Sequence, residues 1–341
     1  MSEFTCEIVK IGKVSPHPNA DTLSITHVYD YPVIFKTGEL QEGDLAIYFP
    51  IDAILPNRPE FAFLWRERET PTEKERVIRA VKLRGIFSMG LLMPVRLFPE
   101  IKGGKEKDNV ADLLCVKKWD PPLPLTLSGN DRKAPEWLPR YTDIENIRKY
   151  RHIFVDGEPI VITEKVHGTN FRAAYKEDDL WVGSHNLVKQ NDNNIWSMIA
   201  KQYRLEEKLK TVPDMILFGE IYGGRIQGGF DYGLKNPQLI LFDIYSIKDG
   251  RYLDWDDFVS LADQLDIDIA SILYRGPYTS LEDILFLAEG QSIMPNTQHI
   301  REGFVAKPIH ERWHYEVGRV ILKVHGEGYL LGKGKKQERG H

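Results

Sequence analysis

The chain has 341 residues, enough for two domains that each bury a core of their own. Apolar residues make up 42% and charged residues 28%, an ordinary composition for a soluble globular protein. A formal net charge of -5 excludes bulk attraction to a polyanion, so any nucleic-acid contact must come from local basic surface.

The only cysteines, Cys6 and Cys115, lack metal-type spacing, which speaks for a reduced setting and against a disulfide framework. The N-terminal stretch MSEFTCEIVKIGKV has no apolar signal core, and no run reaches the roughly 20 apolar residues of a membrane span. The expectation is a cytoplasmic protein without membrane attachment.

Residues 1–116 read as short strands with turn punctuation. CEIVKIGKV alternates with a period near two, the turn-rich His17-Pro18-Asn19-Ala20-Asp21 follows, and Leu23-Ser24-Ile25-Thr26-His27-Val28 alternates again. Tyr31–Phe35, Asp44–Phe49 and Met89–Met93 continue the pattern between Gly, Pro and Asn. About five short strands in such a length predict a small barrel. The run S-P-H-P-N-A-D-T-L-S-I-T-H-V resembles the OB-type tRNA-binding modules of some aminoacyl-tRNA synthetases, which implies an OB-like fold for 1–116. For the side chains of His17–Asp21 themselves, a strand-connecting loop is the plainer reading.

Residues 117–149 read as a linker, broken by Pro121, Pro122, Pro124 and Ser128-Gly129-Asn130-Asp131, with Trp137, Leu138 and Pro139 as anchors. Within Arg140–Tyr150 a short helix is expected from Thr142 or Asp143. Its arginines and lysine, interleaved with tyrosines, suit a phosphate backbone or simply a solvated face.

Residues 150–334 mix strands and helices. Pro159–Thr163 leads into Lys165, Phe171–Tyr175 and Leu180–Val182 suggest a strand pair, and strands return at Gln238–Ile244, Gly303–Ala306 and Arg319–Val324. Asn193 or Asn194 can cap a helix with Ile195, Met198, Ile199, Tyr203 and Leu209 near one face. Two more helices are expected over 256–266 and 281–289, the second started by Ser280 with Asp283 and stopped by Gly290. The basic stretch Gly332–Lys336 opens a mobile end, with 335–341 as a tail.

No G-x-x-x-x-G-K-[ST] loop, no G-x-G-x-x-G after a strand and no H-R-D with D-F-G occurs. What does occur is Thr163-Glu164-Lys165-Val166-His167-Gly168-Thr169-Asn170, followed by Leu217–Gly224 around Glu220 and Arg301–Pro308 around Glu302. A lysine is a nucleophile only as the neutral amine, so it needs neighbouring positive charge or desolvation to lower its pKa. Attack on an α-phosphorus also needs a metal and cations as pyrophosphate leaves. Gly168 allows close approach of backbone to a nucleotide, Phe242 offers a flat face to adenine, and Glu220 and Glu302 are oxygen donors for Mg²⁺, Mn²⁺ or a ribose hydroxyl. Each feature alone is weak; their order carries the reading.

Lys165–Asn170, Phe218–Gly223, Leu241–Ile244, Glu302–Val305 and Ile321–Val324 resemble motifs I, III, IIIa, IV and V of the covalent nucleotidyltransferases, the ligase and capping-enzyme superfamily. Within it the chain is most similar to ATP-dependent RNA ligases of the RNA ligase 2 type, and the leading OB-like module resembles the class with an N-terminal OB domain. The implied fold is α+β: an OB-like β-barrel, then a mixed α/β nucleotidyltransferase (ATP-grasp-like ligase) domain with antiparallel sheets. The resemblance makes Lys165 the AMP-accepting nucleophile, with Glu164, Val166, Gly168, Asn170, Arg172, Glu220, Phe242, Glu302 and Lys323 around the nucleotide. Glu220 lies near ribose and metal, Phe242 stacks on adenine, Glu302 is metal-linked, and Lys323 contacts the α-phosphate. Two departures stand out: His167 replaces the usual Asp of K-x-D-G, and His325 replaces a second motif V lysine. Ser184-His185-Asn186 is a further ribose or phosphate contact, or structural.

The implied cofactors are ATP with Mg²⁺ or Mn²⁺. The implied partners are RNA ends or a nicked duplex, including an RNA/DNA hybrid, acted on by a monomer. Lys165 takes AMP from ATP, AMP passes to a 5′-phosphate, and a 3′-hydroxyl displaces it, in RNA repair or nick sealing. The alternatives are a DNA ligase or GTP-using capping enzyme, disfavoured by domain order, and an inactive OB-fold nucleic-acid-binding protein, disfavoured by intact Lys165, Glu220 and Glu302.

Overall fold

The computed structural model describes residues 4–65, 69–119, 131–189, 194–224, 226–227 and 229–338. These fall into two units, one within Met1–Pro122 and Leu330–His341, the other within Leu123–Tyr329. Among them no helix is long and apolar enough to cross a membrane.

In the first unit, Glu7–Lys10, Leu45–Phe49 and Leu91–Pro94 form one antiparallel sheet, and Ser15–His17, Ala20–Val28 and Tyr31–Lys36 another. Successive side chains of the first sheet go to opposite faces. Ile8, Ile47, Phe49 and Met93 join one apolar cluster, while Val9, Ala46, Tyr48 and Leu92 join a second. Both faces are buried, which is why these strands read as near-continuous apolar runs. The His17–Asp21 turn is structural. His17 is buried, its Nδ1 accepts from the Asn19 backbone N–H at 3.1 Å, its Nε2 lies 3.2 Å from the Leu83 carbonyl, and Asn19 donates to the Arg84 carbonyl at 3.0 Å. The motif thus ties down the hairpin of Val81–Leu83 and Ile86–Ser88.

The second unit is built from two sheets. The larger has seven strands, in the order Asp131–Arg132, Val188–Lys189, Asp179–Gly183, Thr169–Lys176, Met215–Tyr222, Gln238–Ser246 and Arg251–Tyr252. The smaller has five, in the order Glu145–Asn146, Leu322–His325, Gly303–Pro308, Pro159–Glu164 and Ile272–Pro277. All pairings are antiparallel except Glu145–Asn146 with Leu322–His325. The helix Ile195–Gln202 is capped by Asn194, whose side chain accepts from the Ser197 N–H. Trp196, Ile199 and Ala200 take its buried face, so Met198, expected there, is 47% exposed. The helices Trp255–Gln264 and Glu282–Leu285 follow where expected, and Ser280 accepts from the Asp283 N–H at 3.2 Å.

The linker reading changes on two counts. No helix starts at Thr142 or Asp143; Glu145–Asn146 instead adds a parallel edge strand, and Leu138 and Tyr141 are buried between Ala174, Phe218 and Ile321. From Asp131 onward the segment is therefore part of the second unit, while residues 120–130 with Pro121, Pro122 and Pro124 lie outside the described residues. At the other end, the helix Glu327–Glu338 occupies most of the stretch read as a mobile tail, and residues 339–341 lie outside the described residues.

Candidate active site

Lys165 is the first residue after the strand Pro159–Glu164 of the smaller sheet, and residues 165–168 cross to Thr169–Lys176 of the larger one. The nucleophile candidate therefore sits where the chain changes sheet, at the mouth of a cavity walled by both. Asn170, Glu220, Ile240 and Phe242 line it from the larger sheet, and Thr163, Glu164, Val305 and Lys307 from the smaller. Lys165, Val166, Tyr141, Ile144, Ala270 and Ile321 complete the wall. Phe242 and Val305, each half-buried, come from opposite sheets and leave a slot between aromatic and aliphatic faces. Tyr141 braces Phe242 with ring centroids 4.7 Å apart.

The crossing requires Gly168. A Cβ there would lie 2.1 Å from the Ile221 carbonyl oxygen, far inside contact distance, and the Gly168 carbonyl accepts from Gln227 at 3.0 Å. Beside Glu302, Gly303 has φ +153 and a Cβ would meet the Val324 carbonyl at 2.0 Å, so the strand carrying Glu302 can press against Leu322–His325. The Lys165 backbone N–H donates to the Gly303 carbonyl at 3.0 Å, which fixes the lysine and Glu302 in register.

The charges at the mouth are tightly linked. Lys165 Nζ lies 3.0 Å from Glu302 Oε1, His325 Nε2 lies 3.3 Å from the same oxygen, and His167 Nδ1 lies 3.2 Å from Oε2. Burial alone would raise the Glu302 carboxyl, but Lys165 and the hydrogen bonds of His167 and His325 outweigh it and hold it well below the usual range. Glu220 is the opposite case: burial pushes it up to about 8, against the pull of Lys165 and with the repulsion of Glu302. Burial drives His325 down to about 4 despite Glu302, so this ring is neutral at pH 7 and does not stand in for a second lysine. Lys165 itself corrects the sequence expectation. Burial would lower its amine, yet Glu302 and Glu220 outweigh burial and raise it, so the lysine is an ammonium in this state.

Of the residues singled out from sequence, Glu164, Lys165, Val166, Asn170, Glu220 and Phe242 line the cavity, with Glu302 against Lys165 and Gly168 behind the crossing. Glu164 is 1% exposed; its Oε2 accepts from the Ile293 N–H at 2.8 Å and its Oε1 has no hydrogen-bond partner among the described residues. Lys323 is half-buried on the strand opposite Val305 and does not line the cavity, though its charge acts on His325. Arg172 is a correction: it is fully buried away from the cavity, where it donates to the Leu138 and Pro139 carbonyls at 3.1 and 2.8 Å. Two residues further along the strand from Asn170, it reaches the layer that Leu138 and Pro139 cover. His185 and Asn186 sit by Asp143 and Arg140, also outside the cavity lining.

Sequence reasoning missed Tyr141, Lys307 and the aromatic wall behind His167. Tyr232 OH accepts from the His167 N–H at 2.7 Å, and Tyr329 OH lies 3.2 Å from His167 Nδ1. Below the slot, Asp243 binds Lys307 at 2.5 Å and Arg319 at 2.8 Å, and accepts from Tyr141 OH at 2.5 Å. Nothing in local sequence marks these as partners, although Asp243 follows Phe242 directly.

Comparison with known proteins agrees with this geometry. An RNA ligase family model matches residues 158–325, which hold every motif above, and an OB-fold domain model matches residues 5–95. Among solved structures the chain is similar to a Naegleria gruberi RNA ligase, in a lysine-to-alanine mutant with ATP and Mn, at 28% identity and TM-score 0.85, covering 98% of this chain and 100% of that one. The same ligase with PPi matches at 28% identity and TM-score 0.84 over 98% and 99% of the two chains, and a lysine-to-methionine mutant with AMP and Mn gives the same values. With the transferase motifs gathered at one cavity and an OB-fold module ahead of them, residues 158–325 belong to the RNA ligase family.

Proposed function

We propose that the chain is an ATP-dependent RNA ligase that joins 3′-hydroxyl and 5′-phosphate ends through a lysyl-AMP intermediate on Lys165. The observation that carries this is the placement of Lys165 Nζ, 3.0 Å from Glu302, at the mouth of the cavity that Phe242 and Val305 line. Adenine fills the slot between Phe242 and Val305, with Val166 and Asn170 beside it. The orphan Oε1 of Glu164, an acceptor only, takes a hydrogen from the adenine amine and repels the carbonyl of guanine. Lys323, outside the cavity lining on the strand beside Val305, keeps the α-phosphate role only on the motif V resemblance.

A divalent cation fits the donor set. Glu220 is pushed up to about 8 chiefly by burial, and both Glu220 and Glu302 act on Lys165. Mg²⁺ in nucleotide sites is typically held by one or two carboxylates together with water and phosphate, a role that Glu220 and Glu302 can supply. Mg²⁺ and Mn²⁺ both prefer such oxygen donors, and the similar Naegleria gruberi ligase was solved with ATP and Mn. When bound, the cation supplies positive charge that offsets the two carboxylates and the phosphates. The chain's own residues then bind and orient: Glu302 holds Lys165 at the cavity mouth, and a lysine no longer stabilised as ammonium gives up its proton. Its Nζ forms the bond to the α-phosphorus as the bond to pyrophosphate breaks. AMP next passes to a 5′-phosphate, and a 3′-hydroxyl displaces it to form the phosphodiester.

The substrates are RNA ends or a nicked duplex, including an RNA/DNA hybrid, and the role is RNA repair or nick sealing by a cytoplasmic monomer. The test incubates the protein with ATP labelled at the α-phosphate and Mg²⁺ or Mn²⁺, with GTP and Lys165→Ala as controls. Label that stays on denatured protein and requires both ATP and Lys165 is expected. No label, on protein shown by mass not to carry AMP already, would overturn the assignment.

A further inference from the structure

Away from the cavity, the hairpin of Trp313–His314 and Gly318–Arg319 leaves two large aromatic side chains in water: Trp313 is 79% exposed and Tyr315 88%. Single exposed apolar residues need no explanation, but two aromatics on one hairpin are a surface that expects a partner. The His314 and Tyr315 ring centroids lie 4.5 Å apart, the rings tilted by only 32°, and the centroids of His152 and His314 lie 6.2 Å apart in a T-shaped arrangement. His152 ends the run Arg148-Lys149-Tyr150-Arg151-His152, the basic and aromatic stretch that the nucleotide site does not use. Contacts hold the run against the hairpin: His152 Nε2 to Glu316 at 2.5 Å, and Arg312 to the Ile153 carbonyl at 2.8 Å. The acidic neighbours are themselves engaged, Glu316 by His152 and Tyr315, Glu282 by Arg151, and Glu158 by Arg312.

We propose that this hairpin and the Arg148–His152 run form a binding surface for unpaired RNA, remote from the ends being joined; the proposal rests on the RNA ligase reading above. Exposed rings near basic side chains are what sequence-tolerant binding of a single strand needs, because every unpaired base offers a flat face and every linkage a negative charge. A duplex hides those faces in its own stack, so the surface selects single strands. Glu302 precedes the strand Gly303–Pro308, which carries the chain roughly 20 Å from Glu302 to Pro308 at 3.3 Å per residue, and the hairpin follows beyond Pro308. The surface therefore grips RNA beyond the reacting nucleotides rather than the ends themselves.

The test measures anisotropy of a labelled, unstructured RNA oligonucleotide and of a blunt RNA duplex of equal length. For Trp313→Ala with Tyr315→Ala, single-strand affinity should fall about tenfold or more, as the loss of stacked bases predicts, with duplex affinity unchanged. Trp313→Phe with Tyr315→Phe, which keeps a flat ring at both positions, should bind like the wild type. Label transfer from ATP to Lys165 should be unaltered in every variant, which also shows that they fold. Unchanged single-strand affinity in the alanine variant, equal losses on single strand and duplex, or no single-strand binding by the wild type would each overturn the proposal; the first would leave the surface to a protein partner. Failure of the ligase reading is separate, because it appears as a wild type that takes no label from ATP.

Discussion

Lys165 is held by two opposing influences, burial that would free its amine and two carboxylates that keep it charged, and the carboxylates win. On the proposed ligase reading, the amine is freed only when something offsets Glu302 and Glu220, which would couple nucleotide and cation loading to its appearance. On the same reading, Glu164 bears on a different question, which base enters. Its Oε1 is buried without a partner among the described residues, and such an acceptor favours any ligand that brings a donor. In Glu164→Gln the amide can present a donor instead, so we expect the ATP-over-GTP preference in lysyl-nucleotide formation to shrink by about 1–3 kcal/mol. Parallel labelling with ATP and GTP measures it, and an unchanged ratio would remove Glu164 from base selection. Lys165, Glu220, Phe242 and Glu302 could be read from sequence because each stands in a fixed order beside glycine or within an apolar strand. Arg172 could not be placed: only the fold reveals that the carbonyls of Leu138 and Pro139 cover it.

The two sheets of the second unit are joined at two places that matter for the site. One is the crossing at 165–168, which tolerates no side chain at Gly168 because a Cβ would lie 2.1 Å from the Ile221 carbonyl. Gly168→Ala must push Thr169–Lys176 away from Met215–Tyr222 and shift Lys165, and a displacement near 1 Å costs about a hundredfold in rate. Lysyl-AMP formation should fall by that order, and a wild-type rate would show that the crossing has slack. The other is the buried cluster in which Asp243 of the larger sheet binds Lys307 of the smaller, together with Arg319. Burial would raise Asp243, but Arg319 and Lys307 outweigh it and hold the carboxyl below its ordinary value. Its contribution is thus present above the unfolded value of about 3.9 and lost as pH falls through the lower folded value. Asp243→Asn strands two buried cations and should cost about 3–5 kcal/mol at pH 7, with wild type and variant converging in strong acid. Thermal or urea melts across that range decide it; a gap that stayed constant with pH would contradict the clamp. Strand Gln238–Ser246 was legible from its apolar pattern, but its charged partners lie 64 and 76 residues away, where no local pattern reaches.

At the scale of the whole chain, a net charge of -5 must be reconciled with a polyanionic substrate. The expectation of two domains was readable from the short strands of 1–116 and the proline-rich stretch at 121–124. The end of the linker was not, because Leu138 and Tyr141 find their apolar partners only in the folded sheet. A chain with this charge has no long-range field to collect RNA, so binding must come from a few close phosphate contacts together with stacking. Each phosphate neutralised on a single strand contributes about -0.7 to the slope of log K against log salt, whereas stacking contributes almost nothing. A shallow slope, on the order of -2 to -3, is therefore expected for single-stranded RNA. The double substitution Trp313→Ala with Tyr315→Ala should lower affinity by a similar factor at every salt concentration and leave that slope unchanged, because it removes faces and not charges. A titration from low to high salt separates the two contributions. A steep slope in the wild type would mean that the negative chain nonetheless concentrates enough basic surface to bind RNA chiefly through phosphates, and the exposed rings would then lose their part in the argument.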